Sequence, residues 1–152
     1  MTIAVLDTSA VIAFYELSGE PRHQVIDAIS DVGCVAIPAT VIMEFVVGQL
    51  LHSHKSATAD ITPALANLRQ AFRLMNCKVE VIDMDQTLAI AAARVRANAC
   101  LKAKAVKLRS LDAAVFGTAA LLRDVRNEPV RVVTSDPTWE KVSGFDVRVI
   151  MQ

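Results

Sequence analysis

Short runs of β-branched and aliphatic residues recur along the chain at Ile3 to Leu6, Val35 to Ile37, Val79 to Ile82, Val130 to Val133 and Val147 to Ile150. Each is too short for a stable helix and rich in residues that suit a pleated strand. Between the runs lie longer stretches with helical spacing. One opens near Pro21; others are predicted over Ala39 to Leu51, Pro63 to Met75, Gln86 to Leu101 and Asp112 to Leu122. In the third, Leu65, Leu68, Phe72 and Met75 fall on one face, and Pro63 after Thr62 suits a first helical position. Strands alternating with helices predict an α/β protein, a three-layer α/β/α sandwich with a mostly parallel central sheet of about five strands. Residues 52–60 read as a polar connection between helices, in which His52 and His54 are solvated rather than catalytic.

Composition narrows this picture. No repeat or Pro/Gly-rich linker divides the 152 residues, so 1–152 is expected to be one domain, and a hydrophobic content of 53% is enough for its core. No apolar run approaches a membrane span and the first residues lack a basic, cleavable leader, which predicts a soluble, cytoplasmic protein. Cys34, Cys77 and Cys100 show no metal-ligand spacing and are expected to be buried structural thiols. Sixteen basic residues balance sixteen acidic ones. Their distribution is uneven: no acid falls between Asp85 and Asp112, while Arg94, Arg96, Lys102, Lys104, Lys107 and Arg109 form a basic strip. Such a run is ordinarily a solvated face, but this one leads directly into Asp112 and is a candidate for contacting phosphates.

Four acids stand where a parallel sheet places its chemistry. Asp7 closes the first strand and Asp136 comes after the fourth, so both reach the crevice beyond the strands' carboxyl ends. Asp112 opens an apolar helix. Glu44 is the only charge between Ala39 and Leu51, on a helix apolar nearly all round, where a buried carboxylate requires a cation or donor. Asp7, Asp112 and Asp136 each also suit a helix cap. Gathered together, the four would repel by roughly 3 to 4 kcal/mol per close pair at an effective dielectric of about 20. A divalent cation removes that penalty, and ligands without histidine or cysteine favour Mg²⁺ or Mn²⁺ over zinc. Thr8, Ser9, Thr134 and Ser135 flank the acids as ligand-orienting groups or simple strand terminators.

Four segments carry a resemblance: Val5-Leu6-Asp7-Thr8-Ser9-Ala10, Ile37-Pro38-Ala39-Thr40-Val41-Ile42-Met43-Glu44-Phe45, Ser110-Leu111-Asp112-Ala113-Ala114, and Val133-Thr134-Ser135-Asp136-Pro137. In order and spacing the chain resembles the PIN-domain nucleases, and among them the VapC-type toxins of type II toxin–antitoxin pairs. The resemblance implies an acidic quartet of Asp7, Glu44, Asp112 and Asp136 with Thr134 as a polar helper. It implies Asp7 and Asp112 as direct ligands of Mg²⁺ or Mn²⁺, with Glu44 and Asp136 completing the shell. The implied reaction is endonucleolytic hydrolysis of RNA by water, leaving a 3′-hydroxyl and a 5′-phosphate. Implied partners are RNA, a cognate antitoxin and a second copy of the chain. Phe116-Gly117 stands where the family has small aliphatic residues, and Ser135 where it often has Arg or Asn. Trp139 is the best candidate for stacking on a base, with core packing the ordinary alternative. A catalytically idle PIN-like module that binds RNA or protein is the rival; a phosphotransfer receiver lacks its lysine here, and no P-loop or GxGxxG supports nucleotide binding.

Overall fold

The computed structural model describes residues 1–52, 60–102 and 106–151. Most of the expected connection at 52–60, including His54, and Lys104 of the basic strip lie outside the described residues. The elements run in the order β1 (Ile3–Leu6), α1 (Thr8–Tyr15), α2 (Glu20–Ile29), β2 (Cys34–Pro38), α3 (Ala39–His52), α4 (Thr62–Leu74), β3 (Lys78–Ile82), α5 (Gln86–Lys102), α6 (Ser110–Arg126), β4 (Val130–Thr134), a 3₁₀ turn (Pro137–Lys141) and β5 (Asp146–Val149). All strand pairs are parallel, in the order β3-β2-β1-β4-β5.

This order has a functional consequence. The chain steps outward from β1 through β2 to β3, then crosses back to β4 on the other side of β1. Right-handed crossovers therefore place α1 to α4 on one face and α5 and α6 on the other. The reversal falls between β1 and β4, and the connections that leave the carboxyl ends of these two strands turn to opposite faces of the sheet, which leaves a crevice there. β1 and β2 are buried along their whole length, whereas the edge strands β3 and β5 are partly exposed, as expected when only central strands are covered on both faces.

Three sequence-based expectations differ from the structure. The helix α3 is not buried all round: Met43 (49% exposed), Val47 (47%) and Leu51 (62%) form an i, i+4, i+8 stripe on its open side. Glu44 is accordingly half-buried, so its setting does not by itself demand a cation. The cysteines are not uniformly buried, since Cys77 is half-buried and Cys100 lies exposed on α5. The last long helix starts at Ser110 rather than Asp112, because Asp112 sits one turn in and its carboxylate accepts from the Arg109 backbone N–H at 3.1 Å, satisfying a donor the helix leaves open.

The Phe116-Gly117 pair has a packing reason. Phe116 is fully buried, with its ring 4.9 Å from Trp139 and 5.1 Å from Phe145, so it fills the space between α6 and the segment after β4. Gly117 lets α5 come against α6: a Cβ there would stand 2.7 Å from the Ala92 backbone nitrogen. Among the described residues, no helix is long and apolar enough to cross a membrane.

Candidate active site

Asp7, Glu44, Asp112 and Asp136 line one cleft of about 650 Å³ at the carboxyl edge of the sheet, together with Thr8, Ser9, Lys107 and Arg109. Four separate segments supply the acids. Asp7 comes directly after β1 and Asp136 shortly after β4, on the two sides of the switch point; Glu44 comes from the second turn of α3 and Asp112 from the first turn of α6. The capping reading and the site reading are both true of three of them. Asp7 accepts from the Ala10 N–H at 2.9 Å, Asp112 caps α6, and Asp136 accepts from the Thr138 N–H at 2.9 Å and its hydroxyl at 2.7 Å. These caps fix the backbone and aim each carboxylate at the cleft.

Asp7 is the anchor. It is buried, and both its oxygens are engaged: Ser9 Oγ donates to Oδ1 at 2.6 Å and Thr134 Oγ1 donates to Oδ2 at 2.6 Å. The hydroxyls also tie the two strand ends together, since Ser9 Oγ accepts from the Ser135 N–H (2.9 Å) and Thr134 Oγ1 from the Asp136 N–H (3.1 Å). Burial pushes the Asp7 carboxyl above its ordinary range; the bonds from Ser9, Thr134 and the Ala10 N–H oppose this, and the charge of Asp112 adds to the rise. Thr8 reaches the other way, donating to Glu44 Oε1 at 2.9 Å and linking α1 to α3.

On the opposite wall Arg109 lies against Asp112, with Nε 3.1 Å from Oδ2 and Nη2 3.4 Å from Oδ1. Asp112, and at longer range Glu44 and Asp136, hold this guanidinium above even its usual range. The basic strip divides. Lys107 and Arg109 line the cleft, whereas Arg94 and Lys102 lie exposed on α5 away from it. Arg96 donates to the Leu108 carbonyl at 2.9 Å and to Ser110 Oγ at 3.3 Å, which fixes the loop presenting Lys107 and Arg109. Trp139 is only 2% exposed and forms part of the cleft wall with Ile12 and Val115, so its ring is packed rather than presented for stacking.

The donors suit a hard divalent cation, being carboxylate and hydroxyl oxygens, with no histidine or thiol among the described residues that line the cleft. Among the described residues, however, no three His, Cys, Asp or Glu side chains are drawn together closely enough to grip an ion. The carboxylates surround a common space, with Asp112 turned to Arg109. In the sequence, position marks the four acids and the family resemblance marks Thr134, whereas Thr8 and Ser9 look like simple strand terminators and Thr138 does not stand out. The Asp136-Pro137-Thr138 segment, which caps itself, is the sequence signal for Thr138.

A PIN domain model matches residues 4–144. Comparison with curated protein sequences found no match. Among solved structures, the chain is similar to VapBC2 from Rickettsia felis bound to a DNA fragment from their promoter (13% identity, TM-score 0.63, covering 97% of this chain and 98% of that one). It is similar also to DNA-bound VapBC from Salmonella typhimurium (21%, 0.63, 98% of each chain) and to VapBC-1 from nontypeable Haemophilus influenzae (10%, 0.63, 97% of each). At such identities the likeness is one of fold, and it extends over almost the whole of each chain. With the family model spanning nearly its full length, and the acids and sheet order as described, this chain belongs to the PIN-domain family, a family of nucleases.

Proposed function

We propose that the protein is a Mg²⁺- or Mn²⁺-dependent endoribonuclease, the VapC-type toxin of a toxin–antitoxin pair. The observation that carries this reading is the convergence of Asp7, Glu44, Asp112 and Asp136 on one cleft whose rim holds Lys107 and Arg109. An RNA backbone brings negative charge to an acidic site, and bound cations relieve the repulsion between them. Asp7 and Asp112 would hold the divalent ion, with Glu44 and Asp136 completing its surroundings. When bound, the ion supplies a more acidic water and neutralises charge developing on the phosphate oxygens.

The chain's own residues do the positioning. Thr134 and Ser9 fix both oxygens of Asp7, and Thr8 orients Glu44. Lys107 and Arg109 draw the scissile phosphate to the cleft, while Arg94, Lys102 and Lys104 are left to flanking phosphates, a contribution that falls with salt and carries little sequence choice. Ile12, Val115 and Trp139 supply the apolar part of the cleft lining. In this reading the protein works in the cytoplasm as a homodimer and is silenced by a cognate antitoxin; the similar folds of the VapBC chains support the pairing.

Among the described residues that line the cleft none is a histidine able to pull a proton from the ribose 2′-hydroxyl, which supports attack by water. Fragments of RNA made by the purified protein should therefore carry 3′-hydroxyl and 5′-phosphate ends, read by phosphatase and ligase treatment. Cyclic 2′,3′-phosphate ends would refute hydrolysis by water. One observation favours the idle module: no trio of ligating side chains is gathered among the described residues. The same assay decides between them, because an idle module yields no fragments in any metal.

A further inference from the structure

We propose that Arg109 is a latch within the chain that occupies Asp112 in the free protein and leaves it for the RNA backbone, so that metal and RNA binding are coupled through one side chain. The inference rests on the nuclease reading above and deepens it.

The guanidinium meets Asp112 side-on, Nε to Oδ2 at 3.1 Å and Nη2 to Oδ1 at 3.4 Å, so both carboxylate oxygens are covered by a fixed positive charge. An ion approaching Asp112 must displace that charge or share the carboxylate with it. The two partners are unequally held. The Asp112 side chain is only 15% exposed and is fixed by the Arg109 backbone N–H at 3.1 Å, whereas the Arg109 side chain is 80% exposed. Arg109 can therefore swing out with little disturbance while Asp112 stays in place. With the arginine this exposed, water and salt screen the pair, which a releasable latch requires.

A phosphodiester offers the replacement partner. Its two non-bridging oxygens match the guanidinium fork as a carboxylate does, and Lys107 on the same rim adds a second charge for it. Transfer of Arg109 from Asp112 to phosphate frees the carboxylate as the scissile bond arrives. Linkage makes the coupling reciprocal: RNA favours the ion, and the ion favours RNA. The metal site is thereby held back until substrate is present. The capping bond of Asp112 comes from the backbone, so it survives replacement of the arginine side chain.

The test uses the full-length protein and two separate bindings. Mn²⁺ affinity without RNA is measured by titration calorimetry, and affinity for a labelled single-stranded RNA is measured in EDTA, for wild type, Arg109→Gln and Arg109→Lys. Arg109→Gln is expected to bind Mn²⁺ about 5-fold tighter and RNA about 5-fold more weakly, with Arg109→Lys between it and wild type in both. A merely structural arginine would not move the two affinities in opposite directions. Equal or weaker Mn²⁺ binding by a folded Arg109→Gln overturns the latch alone. Should that variant fail to fold, Arg109→Lys decides, since Mn²⁺ binding no tighter than wild type overturns the proposal too. Absence of Mn²⁺ binding by every protein overturns the metal site and the latch with it.

Discussion

Asp7→Asn is expected to make the metal-free protein more stable at neutral pH and at the same time to lower RNA cleavage at least about 100-fold. Both effects have one origin. Burial is the largest influence on Asp7 and raises its pKa above 3.8, in opposition to three hydrogen bonds. Below 3.8 the carboxyl is protonated in the folded and unfolded chains alike, and its ionisation contributes nothing. As pH rises past that value the unfolded chain ionises first, so stability falls up to the raised folded pKa and the loss persists above it. Asparagine has nearly the same shape and can still accept from Ala10 and Ser9, yet has no charge to bury. In thermal melts the advantage of Asp7→Asn should open as pH rises from about 4 and narrow when Mn²⁺ is added, because only the wild-type carboxylate gains a cation. A wild type as stable as the variant at neutral pH without metal would mean that Asp7 carries no such strain.

Gly117→Val is expected to cost about 3 kcal/mol, at the upper end for an overpacked core. Any Cβ at this position meets Ala92 at 2.7 Å from its nitrogen and 2.8 Å from its Cα and Cβ. The obstacle is helix backbone, which cannot rotate aside as a side-chain tip could. Even Gly117→Ala should destabilise, although alanine on an exposed helix would gain about 1 kcal/mol in propensity. Melting temperature reads the result, at about 2–4 °C per kcal/mol for a chain of this size. Ala92→Gly should restore little, since it removes one of the three close atoms and leaves the backbone pair. A Gly117→Ala protein that melts higher than wild type would show that α5 and α6 do not approach as described.

β1 and β2 were legible because burial on both faces writes itself as unbroken aliphatic runs, and the edge strands β3 and β5 because valines alternate there with charged residues; all five appear within a residue or so of their expected ends. α1 was harder. Its buried Ala10, Val11, Ala13 and Phe14 leave almost no polar face, so no helical period distinguishes it from the strand before it. The four acids could be found by position, because a parallel sheet directs the residues just beyond β1 and β4 to one crevice. The partners that give each acid its character could not. Thr134 and Asp7 stand 127 residues apart in sequence, and Thr8 and Glu44 stand 36 apart. Such pairs exist only once the register of the sheet and the packing of α1 on α3 are set. The basic strip shows the same limit, since a charge run gives density but not direction: Arg96 on α5 turns to the backbone of the loop that follows the helix, while Lys107 and Arg109 line the cleft.

The most direct measurement is cleavage of labelled single-stranded RNA by wild type and by Asp7→Asn, Glu44→Gln, Asp112→Asn and Asp136→Asn, each shown by circular dichroism to be folded, in Mg²⁺, Mn²⁺ and EDTA. The expected result is cleavage by wild type with either metal, none in EDTA, and severe loss in all four variants. Wild-type rates in EDTA, or in any one of the four variants, would contradict a single metal-dependent site built from this quartet.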